Sequence, residues 1–534
     1  MAALACAIGL TVKYGSTYRP VVEPVREIEE IWALEDAREE SEEPLVTRLF
    51  CNGIPMAYDA ENNVFYGSLG LENGAQWPEI KLTASEETAK GLSLCFADDY
   101  GFDDCDAAIR EGYSYQIFAY TDTAYSYAEV VFTGLPLVNV TAEQTIERED
   151  VPAQIEIALA AEGLQTNGRI HKRGGASILN DKVGYKLEFT RTTDGKKKIY
   201  REIPGMGTDS QVILLPMNAL DTTMMRDRLS WALYARLTRR DEPFSARKTQ
   251  YCELFLNGEY RGVYLMLEPF SVRQEVAKAG EERLTTDSVY RTAVISLSHG
   301  RPCMEDPYSA ATGFELYYPM DGEPDFSPLA DYFALLGETD DAAFMRRAAQ
   351  IIDLDSALRY DVVLQLFGLT DNVINNMYTW AQNSRGHTRY RFDFWDLDVS
   401  WGLKRDEIGE MHENWVFFPL VDRLLRADEE GGVRKRYGEI YREVREKAFD
   451  TETVEALVGQ YAHELNDSGA MARNAERWET ENYAADGYEL VAFAAERIAL
   501  LDEPVRAMSA GEEIDLRFLE KTNYDDKGTP LTEE

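Results

Sequence analysis

The hydrophobic pattern of this 534-residue chain is mainly strand-like in its first half and mainly helical in its second half. Between about residues 45 and 270, apolar and polar residues alternate in short runs such as EIKLTA and YKLEF, with Asn, Gly and Asp turns between them. This alternation is typical of half-buried β-strands. Helical patterns recur later, around residues 353–369, 433–448, 452–467 and 487–502. The chain is therefore expected to be an α+β protein whose strands and helices occupy different regions.

The first 133 residues predict two segments outside the main domain. Residues 1–44 combine an apolar run, MAALACAIGLTV, with an acidic linker. The apolar run is too short to span a bilayer and is expected to be the remnant of a trimmed signal peptide or anchor. Residues 45–133 predict a β-sandwich-like accessory module, because many short alternating runs follow one another at turn spacing.

Residues 134–505 predict one large domain with two lobes, and residues 506–534 predict a polar tail. A β-rich N-lobe is expected over about 134–270 and a helical C-lobe over about 351–505. The less regular stretch between them, about 271–350, is interpreted as an insertion. A two-lobed α+β protein usually binds its ligand in the crevice between the lobes.

Composition restricts the ligands that this chain can bind. The formal net charge of −40 disfavours nonspecific binding to nucleic acid or to anionic membranes, so a phosphate-bearing ligand requires a local basic region. The six cysteines form no CxxC pair and there are only five histidines. A bound metal is therefore expected to be held by carboxylate and amide oxygens, which favours magnesium, manganese or calcium.

The most informative acidic residues follow a helical pattern and enclose a predicted hairpin. Asp371 precedes Asn376 by five residues, and the stretch MYTWAQNSRGHTRYRFDFW then predicts strand, turn and strand, with Asp396 at the end. Protein kinases place a proton-accepting aspartate and two metal ligands in this order. Asp371 is the candidate catalytic base, and Asn376 and Asp396 are the candidate metal ligands. The alternative is that Asp and Asn simply mark turns.

Two further acids lie in the same stretch, RYRFDFWDLDVSWG. Asp398 shares a strand face with Asp396 if the extended conformation continues, so it is a candidate second metal ligand. Asp393 points to the opposite face and is expected to be structural. A metal-dependent hydrolase that uses Asp396 and Asp398 as paired carboxylates remains an alternative.

A basic region interrupts this acidic sequence at GRIHKRGGASILNDKVGYKLEF. Arg173 and Ser177 flank two glycines, and a flexible loop of this kind can direct amides toward phosphates. Lys186 lies on a predicted strand, where a kinase lysine would contact the α- and β-phosphates, and Lys182 competes for that role. A solvated basic loop is the alternative interpretation.

Taken together, these stretches resemble the CotH-type spore-coat kinases, an atypical branch of the protein-kinase fold. The matching stretches are KRGGAS, KVGYKLEF, NALDTTMMRDRLSWAL, ELFLNGEYRGVYLMLEPF, GFELYYP, TDNVINNMY and FWDLDVSWG, in the order of the family. The resemblance implies a two-lobed kinase-like domain, with Asp371 and Asp396 in the active site and Glu268 near the hinge between the lobes.

The resemblance also implies an activity. It implies phosphorylation of serine or threonine on surface or spore-coat proteins, using ATP with Mg²⁺ or Mn²⁺, in an extracytoplasmic setting. Protein substrates are expected and nucleic acid is not. A membrane attachment is expected only through the N-terminus. The chain departs from the family where it has KVGY, and its predicted helix carries Arg226 and Asp227 where kinases have a glutamate. A non-catalytic nucleotide-binding scaffold is the alternative function.

Overall fold

The computed structural model describes most of the chain, and all structural statements refer to that part. The described residues are 21–23, 27–71, 80–85, 91–97, 108–109, 113–174, 176–217, 220–237, 246–270, 287–293, 313–319, 325–384, 387–403, 415–416, 418–479 and 486–512. The predicted apolar N-terminal run and most of the polar tail lie outside them. None of the helices in this part of the chain is both long and apolar enough to cross a membrane.

The N-terminal region contains two β-sheets and one helix. Its elements are β1 (Val22–Glu23), α1 (Ile28–Asp36), β2 (Glu39–Glu40), β3 (Leu49–Cys51), β4 (Ile54–Pro55), β5 (Ala57–Asp59), β6 (Val64–Ser68), β7 (Leu82–Ala84), β8 (Ser93–Phe96), β9 (Tyr115–Tyr120) and β10 (Ala124–Thr133). One sheet has the order β1-β8-β9-β10-β6-β5, with β2 also paired to β10, and the other is β4-β3-β7. Apolar side chains from both sheets, including Leu49, Leu82 and Ile117, form a shared core.

A closed barrel follows. Its region contains β11 (Leu137–Thr141), β12 (Val151–Leu159), β13 (Glu162–Arg173), β14 (Gly184–Thr190), β15 (Arg201–Ile203), β16 (Gly207–Asp209), β17 (Gln211–Leu215), α2 (Arg226–Ala235), β18 (Thr249–Leu256) and β19 (Glu259–Leu267). The barrel order is β11-β12-β13-β14-β17-β19-β18, and β15 pairs only with β16. Asn257 and Gly258 form the turn between β18 and β19, with φ values of 54° and 78°. Positive φ at both positions is the requirement of a type I′ hairpin turn.

The predicted insertion is in part joined to the hairpin that carries the candidate acids. The strands are β20 (Ser288–Ala293), β21 (Phe314–Tyr318), β22 (Asn375–Ser384) and β23 (His387–Phe394). They form one four-stranded sheet in the order β21-β20-β22-β23. The described strands of the 271–350 stretch therefore extend the candidate-site sheet and do not form a separate unit.

The C-terminal part of the chain is helical, as the 3.6-residue pattern predicts. The helices are α3 (Ala330–Leu336), α4 (Asp341–Ile351), α5 (Leu354–Phe367), α6 (Asp371–Ile374), α7 (Pro419–Arg426), α8 (Gly432–Lys447), α9 (Thr451–Asp467), α10 (Ala470–Arg477) and α11 (Tyr488–Ala510). One large apolar core joins these helices to the hairpin and to the outer side of the barrel. Helix α11 continues five residues past the expected domain boundary at 505.

Helix α2 connects the barrel to the helical region. Leu229 and Leu233 on this helix, and Met225 just before it, are fully buried. The Arg228 guanidinium lies 4.3 Å from the ring centres of both Tyr251 on β18 and Tyr461 on α9. Because these cation–π contacts act in a largely desolvated place, they fix the helix between the two regions.

Candidate active site

The two ends of the β22–β23 hairpin lie side by side. Met377 pairs with Phe394 in the strand register, and the Trp395 N–H donates to the Asn376 carbonyl over 2.9 Å. Asp396 is the next residue after this closing hydrogen bond. The hairpin thus brings the candidate ligands Asn376 and Asp396 together, which is the arrangement that the sequence pattern predicts.

Asn372 holds this junction in place. Its fully buried side-chain amide donates to the Trp395 carbonyl over 2.7 Å and to the Asn376 carbonyl over 3.3 Å. One amide therefore satisfies main-chain acceptors on both ends of the hairpin. The sequence analysis assigned no role to Asn372, because an asparagine beside a helix end also fits ordinary turn chemistry.

Asp371 is the first residue of the single-turn helix α6. Its carboxylate is only 4% exposed, and each of its two oxygens accepts a side-chain hydrogen bond. The donors are Asn375 at 3.1 Å and Asn376 at 2.9 Å. The candidate base and one candidate metal ligand are thus in direct contact.

Both candidate ligands have left-handed backbones. The φ value is 59° at Asn376 and 57° at Asp396. A residue other than glycine in this region costs about 1–3 kcal/mol, and such residues are concentrated at functional sites. Here the surrounding hydrogen bonds hold the two residues in a geometry that an extended strand would not provide.

Asp398 does not share a strand face with Asp396. Strand β23 ends at Phe394, and the positive φ of Asp396 breaks the alternation of side chains that a shared face requires. Asp396 and Asp398 are both half-buried, with Leu397 buried between them. The role of Asp398 as a second metal ligand stays a prediction without support from a shared strand face.

Asp393 has a structural environment, as predicted. It is fully buried, and its carboxylate accepts a hydrogen bond from the Tyr234 hydroxyl over 2.9 Å. The Arg247 guanidinium, also fully buried, lies 3.5 Å from the other carboxylate oxygen. These contacts compensate the buried charge and join α2 to β23.

Arg173, the last residue of β13, lies beside Asp396. Burial lowers the pKa of Arg173, and the negative charge of Asp396 is the nearby charge that most opposes this shift. The guanidinium lies 5.6 Å from the ring centre of Trp395. No hydrogen bond or ion pair joins the Arg173 guanidinium to any residue that the structure describes. A desolvated guanidinium without a fixed partner is suited to bind an anion.

Lys186 lies on the same barrel face as Arg173. It pairs with His171 across β13 and β14, and Arg173 is two residues beyond His171. The side chains of Leu187, next to Lys186, and of Ile170, three residues before Arg173, lie in the barrel core. Because side chains alternate between the two faces of a strand, Lys186 and Arg173 lie on the outer face. Burial lowers the pKa of Lys186, and the positive charge of Lys198 adds to this shift.

Lys182 has a different environment from Lys186. Its ammonium donates to the Val263 carbonyl over 2.6 Å and to the Asn474 side-chain oxygen over 2.8 Å, and it lies 4.9 Å from the Tyr264 ring centre. Burial lowers the pKa of Lys182 to about 7. Asn474 belongs to α10, so Lys182 connects the loop before β14 to that helix.

Strand β19 and helix α10 pack so closely that glycine is required at position 262, next to the Lys182–Asn474 contact. Gly262 has a φ of 84°, and a Cβ there would lie 2.5 Å from the Asn474 side-chain oxygen. Only glycine fits this approach without displacing the amide that receives Lys182. The environment of Lys182 is therefore built into the barrel–helix interface.

Two other cations of the basic region form ion pairs. Arg169 pairs with Glu188 and lies 3.1 Å from Asp150, and Lys172 lies 3.1 Å from Glu147. These pairs set Arg169 and Lys172 apart from Arg173, which lies beside the acids of the hairpin.

The glycine-rich loop brings Ser177 close to the end of β13. Ser177 is exposed on a short 3₁₀ helix, Ala176–Leu179. A Cβ at Gly174, whose φ is 129°, would lie 2.4 Å from the Ser177 hydroxyl oxygen. Glycine at this position therefore allows the hydroxyl to approach the backbone next to Arg173.

Glu268 follows β19, where the chain leaves the barrel. Its carboxylate accepts a hydrogen bond from the Lys248 N–H over 3.2 Å, and its own N–H donates to the Lys248 carbonyl over 2.9 Å. Phe270, two residues later, stacks on Tyr378 of β22 with ring centres 4.3 Å apart. The segment that carries Glu268 thus runs from the barrel to the candidate-site sheet.

Asp227 is a site residue that the sequence analysis did not assign. It lies in the first turn of α2, is 4% exposed, and its Oδ1 atom is buried without a hydrogen-bond partner. Burial raises the pKa of Asp227 to about 8, and the charge of Asp396 adds to the shift. The signal in the sequence is the presence of Arg226 and Asp227 on the helix where kinases have a glutamate.

These side chains fit a hard divalent cation. Within the described residues, no group of three or more His, Cys, Asp or Glu side chains could hold a metal ion. The candidate set here combines the carboxylate of Asp396 with the amide oxygen of Asn376, and the orphaned carboxylate oxygen of Asp227 belongs to the same neighbourhood. Oxygen donors of this kind suit Mg²⁺ or Mn²⁺.

The comparison with known families agrees with this geometry. A family model described as CotH kinase protein matches residues 170–501, which is more than half of the chain. The match begins in β13 and ends in α11, so it includes all of the candidate residues. The search of curated proteins found no match. The chain belongs to the CotH kinase family, and the family description indicates an enzyme of the kinase type.

Proposed function

We propose that the protein is an atypical protein kinase that transfers the γ-phosphoryl group of ATP to serine or threonine in surface or spore-coat proteins. The barrel and α2 would form the N-lobe, and the hairpin sheet with the helical region would form the C-lobe. The observation that supports this best is the meeting of Asp371, Asn376 and Asp396 at the base of one hairpin, beside Arg173 from the barrel.

Asp371 is the residue that would orient the acceptor hydroxyl and take its proton. Its two oxygens are already held by amide donors from Asn375 and Asn376, so the carboxylate has a fixed orientation. A fixed carboxylate favours one approach of the hydroxyl, which reduces the entropy that the reaction must lose. General-base assistance of this kind is worth about 10²–10⁴-fold in rate.

Arg173 and Lys186 would bind the phosphates of ATP. Both cations lie on the barrel face that meets the helical region. Lys186 pairs with Ile213 on β17, and Ile213 belongs to the apolar core that the barrel shares with the helices. Burial disfavours both positive charges, and an incoming triphosphate would compensate them. Electrostatic attraction is stronger at such desolvated positions than in bulk water.

Asn376 and Asp396 would hold a divalent cation, which neutralises charge on the phosphates as the phosphoryl group transfers. The left-handed backbones of both residues turn their side chains into a geometry that the strands alone do not provide. Asn372 would maintain that geometry through its two main-chain hydrogen bonds.

Two other functions make different predictions. A nucleotide-binding scaffold would bind ATP without transferring phosphate. A metal-dependent hydrolase would act without ATP and would need Asp396 and Asp398 together, but the strand conformation on which their pairing relied ends at Phe394. The acceptor proteins are proposed to lie outside the cytoplasm, as the resemblance to spore-coat kinases implies.

The test is transfer of labelled phosphate from ATP, with Mg²⁺ or Mn²⁺, to the protein itself or to an added acceptor. Asp371→Asn should lower the transfer rate about 10²–10⁴-fold, and Asp396→Asn should abolish metal-dependent transfer. Asp331→Asn is the matched control, because Asp331 is an exposed acid on α3 that pairs only with Arg347 among the described residues. Unchanged transfer in both site variants would refute the assignment, and nucleotide binding without transfer in the wild type would favour the scaffold.

A further inference from the structure

Asp227 stands out among the buried carboxylates beside the candidate site. Asp393 has a tyrosine hydroxyl and an arginine as partners, and the buried Asp221 accepts hydrogen bonds from Thr223 and Arg226. Asp227 is equally buried, yet its Oδ1 atom has no hydrogen-bond partner. A buried carboxylate oxygen without a donor is unfavourable unless a cation or proton compensates it.

The nearby charges leave that compensation incomplete. Asp396 carries the same sign as Asp227 and is the charge that acts on it most strongly, and the attraction between Asp227 and the Arg173 guanidinium does not prevent burial from raising the pKa of Asp227. The Leu397 N–H, immediately after Asp396, donates toward the Asp227 carboxylate. The indole N–H of Trp231, one turn along α2, faces the Asp227 carboxylate and opposes the rise in its pKa, but its geometry lies outside the limits of a hydrogen bond. A buried acid with an oxygen that lacks a donor, next to a second acid of the same charge, is suited to share a cation with it.

The backbone around Asp227 fixes its position independently of any ligand. Its neighbour Arg226 donates to the Ser400 carbonyl over 3.1 Å and forms ion pairs with Asp221 and Glu489. These contacts join the start of α2 to the segment after Asp396 and to α11. The Asp227 carboxylate is therefore held against the hairpin end by the fold.

We propose that Asp227 supplies an oxygen ligand to the divalent cation held by Asp396 and Asn376, so that α2 and the hairpin complete one metal site together. This inference rests on the proposed function, because it assigns a further ligand to the cation used in phosphoryl transfer. It also gives α2 a role in the reaction, since a shift of this helix would separate Asp227 from Asp396.

The test measures Mn²⁺ binding by electron paramagnetic resonance, without turnover, in the presence of a non-hydrolysable ATP analogue. Asp227→Asn keeps the shape of the side chain and removes its charge. We expect it to raise the Kd for Mn²⁺ at least about tenfold, while Asp227→Glu keeps a carboxylate and retains most of the affinity. Equal Mn²⁺ affinity in wild type and Asp227→Asn would overturn the inference.

A second measurement covers the case in which Asp227→Asn does not fold. In crystals of the wild-type protein soaked with Mn²⁺ and the analogue, the anomalous peak should lie within coordination distance of an Asp227 oxygen. A peak bound by Asp396 but remote from Asp227 would overturn the inference. Phosphate transfer distinguishes the two claims. If the protein transfers phosphate but Asp227 has no role in Mn²⁺ binding, only the inference is contradicted. If Mn²⁺ binding depends on Asp227 but no phosphate is transferred, only the proposed activity is contradicted.

Discussion

The side-chain amide of Asn372 donates to the Trp395 carbonyl over 2.7 Å. The same amide reaches the Asn376 carbonyl, so one buried side chain holds both ends of the hairpin that carries the candidate ligands. The position of Asp396 relative to Asp371 thus depends on a residue with no chemical role of its own.

Asn372→Ala should therefore lower both the stability of the protein and the activity of the molecules that remain folded. Removing the amide leaves buried acceptors unsatisfied, which should lower the free energy of unfolding by about 1–3 kcal/mol. Phosphate transfer by the remaining folded protein should fall at least about tenfold, because a small displacement of a catalytic group is costly. Denaturant unfolding and transfer assays measure the two effects. Asn167→Ala, at a partly exposed position of β13, is the control. Full activity in Asn372→Ala would show that the junction does not position the site.

Adjacent cations on β13 provide a matched pair for nucleotide binding. Arg173 lies beside Asp396, whereas Lys172 points to the other side of the strand and pairs with Glu147. Arg173→Ala should raise the Kd for ATP at least about tenfold, which is about 1.4 kcal/mol. Lys172→Ala should change this Kd less than about twofold, since exposed ion pairs contribute little. Calorimetric titration measures both constants, and equal effects of the two substitutions would contradict the assignment.

The two candidate lysines should differ in the same experiment. Lys182→Met removes a buried ammonium from Val263 and Asn474, so it should lower the free energy of unfolding by about 1–3 kcal/mol. Lys186→Met should have a smaller effect on stability and should weaken ATP binding. Thermal unfolding and nucleotide titration of both variants decide between them. If Lys182→Met weakened ATP binding and Lys186→Met did not, the assignment of the phosphate contact would reverse.

A buried acid in the helical core predicts a pH-dependent stability. Burial raises the pKa of Asp361 to about 7, although hydrogen bonds from Tyr437 and Gln365 oppose the shift. The neighbouring Asp422 is buried too, and burial and the charge of Asp361 raise its pKa. The folded protein holds the Asp361 proton more tightly than the unfolded chain, so this contribution to stability is lost as the pH rises from about 4 to about 7.

Asp361→Asn should remove that pH dependence. Between pH 5 and pH 8, the free energy of unfolding of the variant should rise relative to that of the wild type by about 2–3 kcal/mol. Urea unfolding of both proteins at several pH values measures this change. Parallel pH profiles would show that Asp361 does not titrate differently in the folded and unfolded states.

The sequence predicts those parts of the site that depend on local pattern. The hairpin at Asn257 and Gly258 follows from a dipeptide that favours positive φ, and the approach of Asp396 to Asn376 follows from the strand–turn–strand pattern. Long helices such as α8 and α9 follow from their period. In these cases the local conformation alone determines which residues meet.

The remaining features depend on contacts between distant segments. Asp227 acquires a role only because α2 packs against the hairpin end, and no periodicity reveals that contact. Strand β20 pairs with β21 on one side and, across a long sequence separation, with β22 on the other, so the sequence alone suggests an insertion in the stretch that contains β20 and β21. The different environments of Lys182 and Lys186 likewise arise from the packing of α10 on the barrel, which sequence spacing does not encode.

The most direct test of the proposed phosphotransferase site is a crystal structure of the protein with Mg²⁺ and a non-hydrolysable ATP analogue. The account predicts the phosphates between Lys186 and Asp396, in contact with Arg173, and a metal ion bound by Asp396 and Asn376. The γ-phosphate should face Asp371. A nucleotide bound elsewhere, with this space filled by solvent in crystals that bind the analogue, would contradict the account.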